Sequence, residues 1–314
     1  MIETPSGAPG AAAFDPVAIR REVGALGSDV TPEIMERSRA RYARFHESEP
    51  YEGVTVLRDL SYGPHPRQRL DLFAAAPAPG GVDRQRQVLV FLHGGGFVAG
   101  DKYRPGTPYH DNVALWAVHH GYLGVNMTYR LAPESHWPSG SEDIAAVLHW
   151  LRASGPEHGA AADRVVLLGT SAGAAHIASF LSSPSSDAEA ATVAGAVLVA
   201  GAYDFTTFEN EGLHDYLGTD RSLDGERSPL AGLLSTPVPT LFVLGEFEPE
   251  QAERQTFELI SAHSRRHGRW PKFVRLLGHN HFTATDHLNT PDDSLGQQLQ
   301  LFLSGLVGDG SSNE

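Results

Sequence analysis

A serine flanked by glycines lies near the middle of the chain, in Gly169-Thr170-Ser171-Ala172-Gly173. A serine hydroxyl can act as a nucleophile when a tight strand-to-helix turn exposes it, and such a turn leaves no room for side chains two residues before and after the serine. An apolar run at 165–168 precedes the motif, and a segment with helical character follows it at 172–181. This setting predicts that Ser171 is a nucleophile.

A glycine-rich segment, His93-Gly94-Gly95-Gly96-Phe97, directly follows the apolar run 88–92. Glycines let the backbone turn sharply and present its N–H groups without interference from side chains. A loop of this kind can hold an anion, including the oxyanion that forms when a nucleophile attacks a carbonyl. The segment is therefore a candidate oxyanion-binding loop.

A serine nucleophile also needs a base to take its proton and an acidic group to orient that base. Two polar segments could supply them. Gly245-Glu246-Phe247-Glu248-Pro249-Glu250 follows the apolar run 241–244, and Gly278-His279-Asn280-His281-Phe282 follows the run 273–277. These patterns alone leave three glutamates and two histidines as candidates.

Alternating strand and helix patterns predict the architecture that would bring these groups together. Predicted strands lie at 54–60, 69–73, 88–92, 123–129, 165–168, 196–199, 241–244 and 273–277, and the main helices at 31–48, 142–153, 172–181, 250–267 and 294–306. The first two strands form a hairpin around Gly63-Pro64-His65-Pro66. The remainder predicts an α/β fold with a mostly parallel sheet and helices on both faces, whose active groups gather at the carboxyl ends of the strands.

The motifs resemble those of the hormone-sensitive-lipase-like esterases, the HGGG or bacterial family IV group, and within it the BD-FAE or arylformamidase-like branch. The similarity extends over roughly residues 50–305, and its matching segments are Tyr62–Pro64, Arg67–Leu72, His93–Phe97, Tyr129–Glu134, Gly169–Gly173 and His281–Phe282. The resemblance implies the α/β-hydrolase fold, in which the triad members follow one another in the order serine, acid, histidine.

The resemblance also implies roles for particular residues. Ser171 would be the nucleophile, and the backbone N–H groups of Gly95, Gly96 and Ala172 would form the oxyanion hole. The expected activity is that of a carboxylesterase, which cleaves a small or aromatic ester through an acyl-enzyme. Arylformamidase activity, as on N-formylkynurenine, is an alternative. A second alternative, of another class, is a non-catalytic receptor for a small ligand, because relatives with this fold include receptors that lack a triad residue.

The resemblance also implies which of the candidate residues are preferred as the acid and the base. The family pattern Glu-x-Asp-Pro falls on Glu246-Phe247-Glu248-Pro249, so that Glu248 replaces the usual aspartate. Glu248 is preferred over Glu246 because it directly precedes the proline. His281 is preferred over His279 because the family's base precedes an apolar residue, and His279 is expected to support it through a hydrogen bond.

Aromatic residues near these loops predict a largely apolar substrate pocket, formed by Phe97, Trp137, Tyr203 and Phe282. The predicted organisation is a flexible N-terminus with a helical lid segment at 1–50, a catalytic domain at 51–306 and a disordered tail at 307–314. The insertion at 205–235 is expected to contribute to the lid.

Composition excludes several other classes of protein. The chain has 314 residues, no cysteine and a formal charge of −14 without a clustered basic face, which argues against thiol chemistry, disulfides and nucleic-acid binding. Its 16 histidines show no metal-ligand spacing, so neither a metal nor another cofactor is expected. Without a signal-peptide pattern or a long apolar run, we expect a cytoplasmic protein that binds no membrane. The expected partner is a small-molecule ester or amide, and a homodimer is compatible with the sequence.

Overall fold

The computed structural model describes residues 14–76, 85–183 and 190–308 of the protein. In this described part, a sheet of eight strands forms the centre. The strands are β1 Val54–Ser61, β2 Arg69–Ala75, β3 Arg86–Leu92, β4 Leu123–Met127, β5 Ala160–Thr170, β6 Val193–Val199, β7 Thr240–Phe247 and β8 Lys272–Asn280. Their order across the sheet is β1-β2-β4-β3-β5-β6-β7-β8. β2 is antiparallel to both β1 and β4, and the other neighbouring pairs are parallel.

Helices connect the strands and cover the sheet. They are α1 Pro16–Gly24, α2 Pro32–Tyr42, α3 Asp111–His119, α4 Ser139–Ser154, α5 Ala172–Ser182, α6 Glu211–Leu217, α7 Asp224–Arg227, α8 Leu230–Leu233, α9 Glu250–His267, α10 Thr283–Asp286 and α11 Ser294–Gly308. Short 3₁₀ turns lie at Ala43–Phe45, Gly155–His158 and Arg221–Leu223. The helices that the sequence patterns did not predict are α1, α3, α6, α7, α8 and α10. Residues 1–13 of the predicted flexible N-terminus and residues 309–314 of the predicted disordered tail 307–314 lie outside the described residues, whereas residues 307 and 308 belong to α11.

Side chains of β3 show why the sheet needs helices on both faces. Val88, Val90 and Leu92 pack into one core with α4 and α5, whereas Leu89 and Phe91 pack into a second core with α3 and α11. Successive side chains of a strand point to opposite faces, so a strand buried on both sides is apolar throughout. The predicted α/β fold, with a mostly parallel sheet and helices on both faces, is confirmed.

Four strand ends define the functional edge of the sheet. The glycine-rich loop follows β3, and the serine motif begins in the last residues of β5. The glutamate-rich segment lies at the end of β7, and the histidine segment lies at the end of β8. β3 pairs with β5, and β7 pairs with β8. Because parallel strands end on the same side of a sheet, residues far apart in sequence meet at this edge.

Candidate active site

Ser171 occupies a sharp turn between β5 and α5. Its backbone angles are φ 54° and ψ −119°, in a region that residues with a side chain rarely adopt. The Ser171 N–H donates to the Val199 carbonyl at 2.8 Å, and the Ser171 carbonyl accepts from the Ala175 N–H at 3.0 Å. Bonds to β6 and α5 therefore hold the strained residue at the carboxyl end of the sheet.

The two glycines of the serine motif are required by close backbone contacts. A Cβ atom on Gly173 would lie 2.3 Å from the Leu92 carbonyl oxygen, and one on Gly169 would lie 2.6 Å from the Gly173 carbonyl carbon. Both neighbours are backbone atoms, which cannot move aside as a flexible side chain could. The spacing of glycines around Ser171 thus reflects the tight packing of β5, β3 and α5.

The glycine-rich loop lies beside Ser171, since a Cβ atom on Gly94 would be 3.2 Å from the Ser171 Cβ. Gly95 and Gly96 have φ values of 136° and 59°, and a Cβ on Gly95 would clash with the Ala99 carbonyl. Their conformations therefore favour glycine. Together with Ala172 at the start of α5, these residues line one cavity with Ser171.

His93 fixes the beginning of this loop from within the core. Its Nδ1 lies 2.6 Å from the Gly94 carbonyl, to which it donates, and its ring stacks on Tyr129 at 4.4 Å between centroids. The Tyr129 hydroxyl donates to the His93 carbonyl at 2.7 Å. Burial lowers the pKa of His93 to about 3, so the ring is neutral at physiological pH.

Glu248 is the acidic residue that contacts a histidine of the site. Its Oε2 lies 2.6 Å from His281 Nδ1, and its Oε1 accepts from the Gly245 N–H at 3.3 Å. Glu246 instead accepts from the Gly278 N–H at 2.6 Å, and Glu250 is exposed at the start of α9. Of the three glutamates that the sequence left as candidates, Glu248 is thus the one whose carboxylate contacts His281.

The environment of His281 sets its proton affinity. Burial acts to lower the pKa of His281, but the negative charge of Glu248 and the hydrogen bond to it act in the opposite direction and leave the pKa raised. A hydrogen bond from Nδ1 to Glu248 leaves Nε2 as the nitrogen that can accept a proton. His281 lines the same cavity as Ser171.

His279 lies behind the site and does not line this cavity. Its ring is fully buried between Tyr42 and His287, at centroid distances of 6.2 and 4.1 Å, and neither ring nitrogen has a hydrogen-bond partner among the described residues. The expected supporting hydrogen bond from His279 is thus not seen. Its contacts connect the segment after β8 to α2.

Ser171 and His281 line a cavity of about 760 Å³. Phe97 and Phe282 line it, as expected, whereas Trp137 and Tyr203 do not. Tyr203 is buried in the core against Phe242, and Trp137 packs in a separate apolar cluster behind the glycine-rich loop. These two expectations are corrected, because proximity in sequence to a loop did not reveal which side of it the rings face.

Both segments expected to cover the pocket contribute to its wall. Met35 and Arg39 of α2 line one part, and Phe208 and Asn210 of the insertion line another. Arg39 is a buried residue and one of three arginines in α2, with Arg37 and Arg41. No spacing signal distinguishes it from its neighbours.

Among the described residues, one group has the composition of a metal site. His279, His287 and Asp292 place a ligand atom each within 4.8 Å of one another. However, His287 uses Nδ1 on the Thr283 carbonyl and Nε2 on the Leu295 N–H, while the Asp292 carboxylate accepts from Arg20 and Tyr42. Both ring nitrogens of His287 are therefore engaged, which leaves this residue no lone pair for a metal ion, and Asp292 ties α1 and α2 to the segment after β8.

The fold and the serine turn together define a hydrolase-type arrangement, and comparison with known proteins agrees with it. The family described as the alpha/beta hydrolase fold matches residues 89–281, and the chain belongs to this family. Esterase LipI of Mycobacterium tuberculosis is 36% identical over 131 residues, which cover 37% of this chain and 39% of LipI. Carboxylesterase NlhH of the same organism is 39% identical over 87 residues, covering 27% of this chain and 26% of NlhH.

These alignments span well under two thirds of the relatives' own lengths. Similarity to solved structures extends further along the chain. Esterase B of Lactobacillus rhamnosis superposes with a TM-score of 0.69 at 20% identity and covers 96% of this chain and 100% of its own. An esterase from Pseudomonas putida superposes with a TM-score of 0.64 at 20% identity, covering 96% and 98%. In the described part of the chain, no helix is long and apolar enough to cross a membrane.

Proposed function

We propose that this protein is a serine carboxylesterase in which Ser171, His281 and Glu248 form the catalytic triad. The observation that carries the proposal is the 2.6 Å contact between Glu248 and His281 in the cavity wall that also holds the strained Ser171. The esterase names of the matched relatives support the same activity.

In the proposed first step, His281 removes the proton of Ser171 Oγ as this oxygen attacks the ester carbonyl. Glu248 orients His281 and stabilises the imidazolium. The N–H groups of Gly95, Gly96 and Ala172 hold the oxyanion, and each such donor contributes about 2.7–4 kcal/mol to transition-state stabilisation. The tetrahedral intermediate then collapses, and the alcohol leaves with the proton from His281.

Water completes the proposed cycle. His281 takes a proton from the water as it attacks the acyl-Ser171 carbonyl, and the second tetrahedral intermediate releases the carboxylic acid and restores Ser171. A cavity with largely apolar walls suits small or aromatic esters, because such groups gain free energy from leaving water. The same steps on a formamide would give arylformamidase activity.

The test uses Ser171→Ala with Ser304→Ala, an exposed serine on α11, as the control. We expect Ser171→Ala to lower kcat on aryl esters by at least about 10⁴-fold and to abolish labelling by a fluorophosphonate probe, while Ser304→Ala retains both. Circular dichroism checks folding, and N-formylkynurenine is assayed in parallel. Absence of labelling and turnover in the wild-type protein would favour a ligand receptor. Esterase activity in folded Ser171→Ala would contradict the triad.

A further inference from the structure

Arg39 is a buried cation in the wall of the cavity that holds Ser171. Its Nε donates to Asp286 Oδ2 at 3.0 Å, its Nη2 lies 3.1 Å from His110 Nε2, and its guanidinium carbon lies 5.0 Å from the centre of the Tyr109 ring. Its Nη1 has no hydrogen-bond partner within 14–76, 85–183 and 190–308. The guanidinium is thus fixed in place with donors still free.

The protonation of His110 follows from its partners. His110 Nδ1 lies 3.0 Å from the Asp101 carbonyl oxygen, which can only accept, so Nδ1 carries the proton and Nε2 accepts from Arg39. Burial and the charge of Arg39 lower the pKa of His110 well below its ordinary value, in agreement with a neutral ring. His110 therefore positions the guanidinium and adds no charge.

The carboxylate of Asp286 does not use all the hydrogen-bond donors of Arg39. Asp286 occupies Nε, and a planar guanidinium has five N–H donors in a fork that matches carboxylate geometry. Arg39 and Asp286 line the same cavity as Ser171 and His281. A group bound at Arg39 would accordingly lie in the same cavity as the catalytic histidine.

Apolar side chains line other parts of the cavity wall, among them Ala202, Phe208 and Ala252. The cavity thus offers a fixed guanidinium donor together with apolar contacts. We propose that Arg39 binds a carboxylate of the substrate, so that the preferred substrates are esters with a carboxylate on one part and an apolar group on the other. The proposal rests on the serine esterase function proposed above.

Two pairs of substrates test the carboxylate preference. The first pair is the para-nitrophenyl monoester of glutaric acid and its neutral carboxamide isostere, with the charge on the acyl part. The second is the butyrate ester of para-hydroxybenzoic acid and that of para-hydroxybenzamide, with the charge on the alcohol part. We expect the wild-type protein to favour the carboxylate in one of the pairs, mainly through KM, and the pair concerned identifies the side of the ester that Arg39 contacts.

The variant Arg39→Met/Asp286→Asn removes the guanidinium together with its buried counter-charge. We expect the ratio of kcat/KM between carboxylate and carboxamide to fall about tenfold or more, the effect of losing a charged hydrogen bond. The matched control is Arg41→Met/Glu22→Gln, which removes another α2 ion pair, at 2.9 Å, outside the cavity wall. This control is expected to keep the wild-type ratio.

Arg39→Lys provides a second variant that retains the positive charge beside Asp286. A lysine cannot reproduce the planar fork, so we expect a ratio between those of the wild-type protein and the double variant. The inference is overturned if the wild-type protein hydrolyses both members of each pair without preference, or if Arg39 variants slow both members equally. Failure of the esterase function itself is distinguishable, because then no ester is hydrolysed and Ser171 is not labelled.

Discussion

Glu246 in β7 and Glu248 directly after it differ in the group that each carboxylate contacts. Glu248 is bonded to His281, whereas Glu246 accepts from a backbone N–H at the end of β8. The position before a proline was the only sequence feature in favour of Glu248, and the residue type at that position departs from the family's aspartate. The two glutamates are distinguished only by the path of the chain after β7, which brings Glu248 within reach of His281 although its side chain is one methylene longer than the aspartate of the family pattern.

Glu248→Gln is expected to lower kcat by about 10³–10⁴-fold, because the amide neither orients the imidazole correctly nor stabilises its charged form. Glu246→Gln, two residues away, keeps a hydrogen-bond acceptor for the Gly278 N–H and is expected to retain most of the activity. Steady-state kinetics on an aryl ester compares the two variants. Equal losses in both would argue against Glu248 as the triad acid.

The pH profile provides a second readout of the same pair. In the proposed mechanism His281 must be unprotonated to accept the proton of Ser171, so kcat/KM is expected to fall as the pH drops through the raised pKa of His281. In Glu248→Gln the burial of His281 remains but the charge that raises its pKa is lost, and the acidic limb is expected to move to lower pH. If the acidic limb of the kcat/KM profile lies at the same pH in Glu248→Gln and in the wild-type protein, a group other than His281 controls it.

At the scale of elements, the sequence predicted all eight strands but not every helix. Strands such as β3 are continuous apolar runs because both of their faces are buried, and that pattern is visible in a single sequence. α3 was missed because it is buried almost throughout and lacks the one-sided apolar stripe by which surface helices are recognised. Phe97 and Phe282 of the cavity wall were predicted, but Arg39 was not, because its partner Asp286 lies 247 positions away in the sequence.

The insertion helix α6 packs against the back of the glycine-rich loop. A Cβ atom on Gly212 would lie 1.9 Å from the Gly96 carbonyl oxygen. Gly212→Ala is therefore expected to displace the loop that carries the proposed oxyanion donors and to lower kcat by about 10–10³-fold, the upper value corresponding to loss of one donor. The measurement is kcat on an aryl ester, with circular dichroism to verify the fold.

Gly225→Ala in α7 is the control for this prediction, because it lies in the same insertion and its added Cβ would meet only Thr206 Cγ2, at an ordinary 3.8 Å. We expect Gly225→Ala to remain active. Full activity in Gly212→Ala would show that α6 does not hold the loop.

At the scale of the whole molecule, several histidines are buried in a neutral state. Burial lowers the pKa of His46 to about 4 and those of His93 and His176 to about 3, and His110, His279 and His287 are shifted in the same direction. In the unfolded chain a histidine has its ordinary pKa of about 6.5. The unfolded state therefore binds more protons than the folded state as the pH falls below that value, and stability decreases. His281, Asp143 and Asp286, whose pKa values are raised, act in the opposite direction.

His176 allows this linkage to be measured at one residue. Its ring is enclosed by Phe97, Tyr129 and Tyr216, with centroid distances of 5.2, 4.5 and 4.9 Å, and both ring nitrogens lack a hydrogen-bond partner in the described part of the chain. His176→Phe is expected to reduce the slope of unfolding free energy against pH, between about pH 6 and 4.5, by up to about 1.4 kcal/mol per pH unit, the contribution of one proton.

Urea unfolding at several pH values measures this slope, and His149→Gln, at an exposed position on α4, is the control. The slope is informative even if the larger phenylalanine ring shifts stability at every pH, because repacking adds a constant while proton linkage changes with pH. A slope equal to that of the wild-type protein would mean that His176 gains no proton on unfolding. A reduced slope would show that His176 takes up a proton when the protein unfolds. Part of the acid sensitivity of the fold would then come from the rings that pack beside the glycine-rich loop, which carries the proposed oxyanion hole.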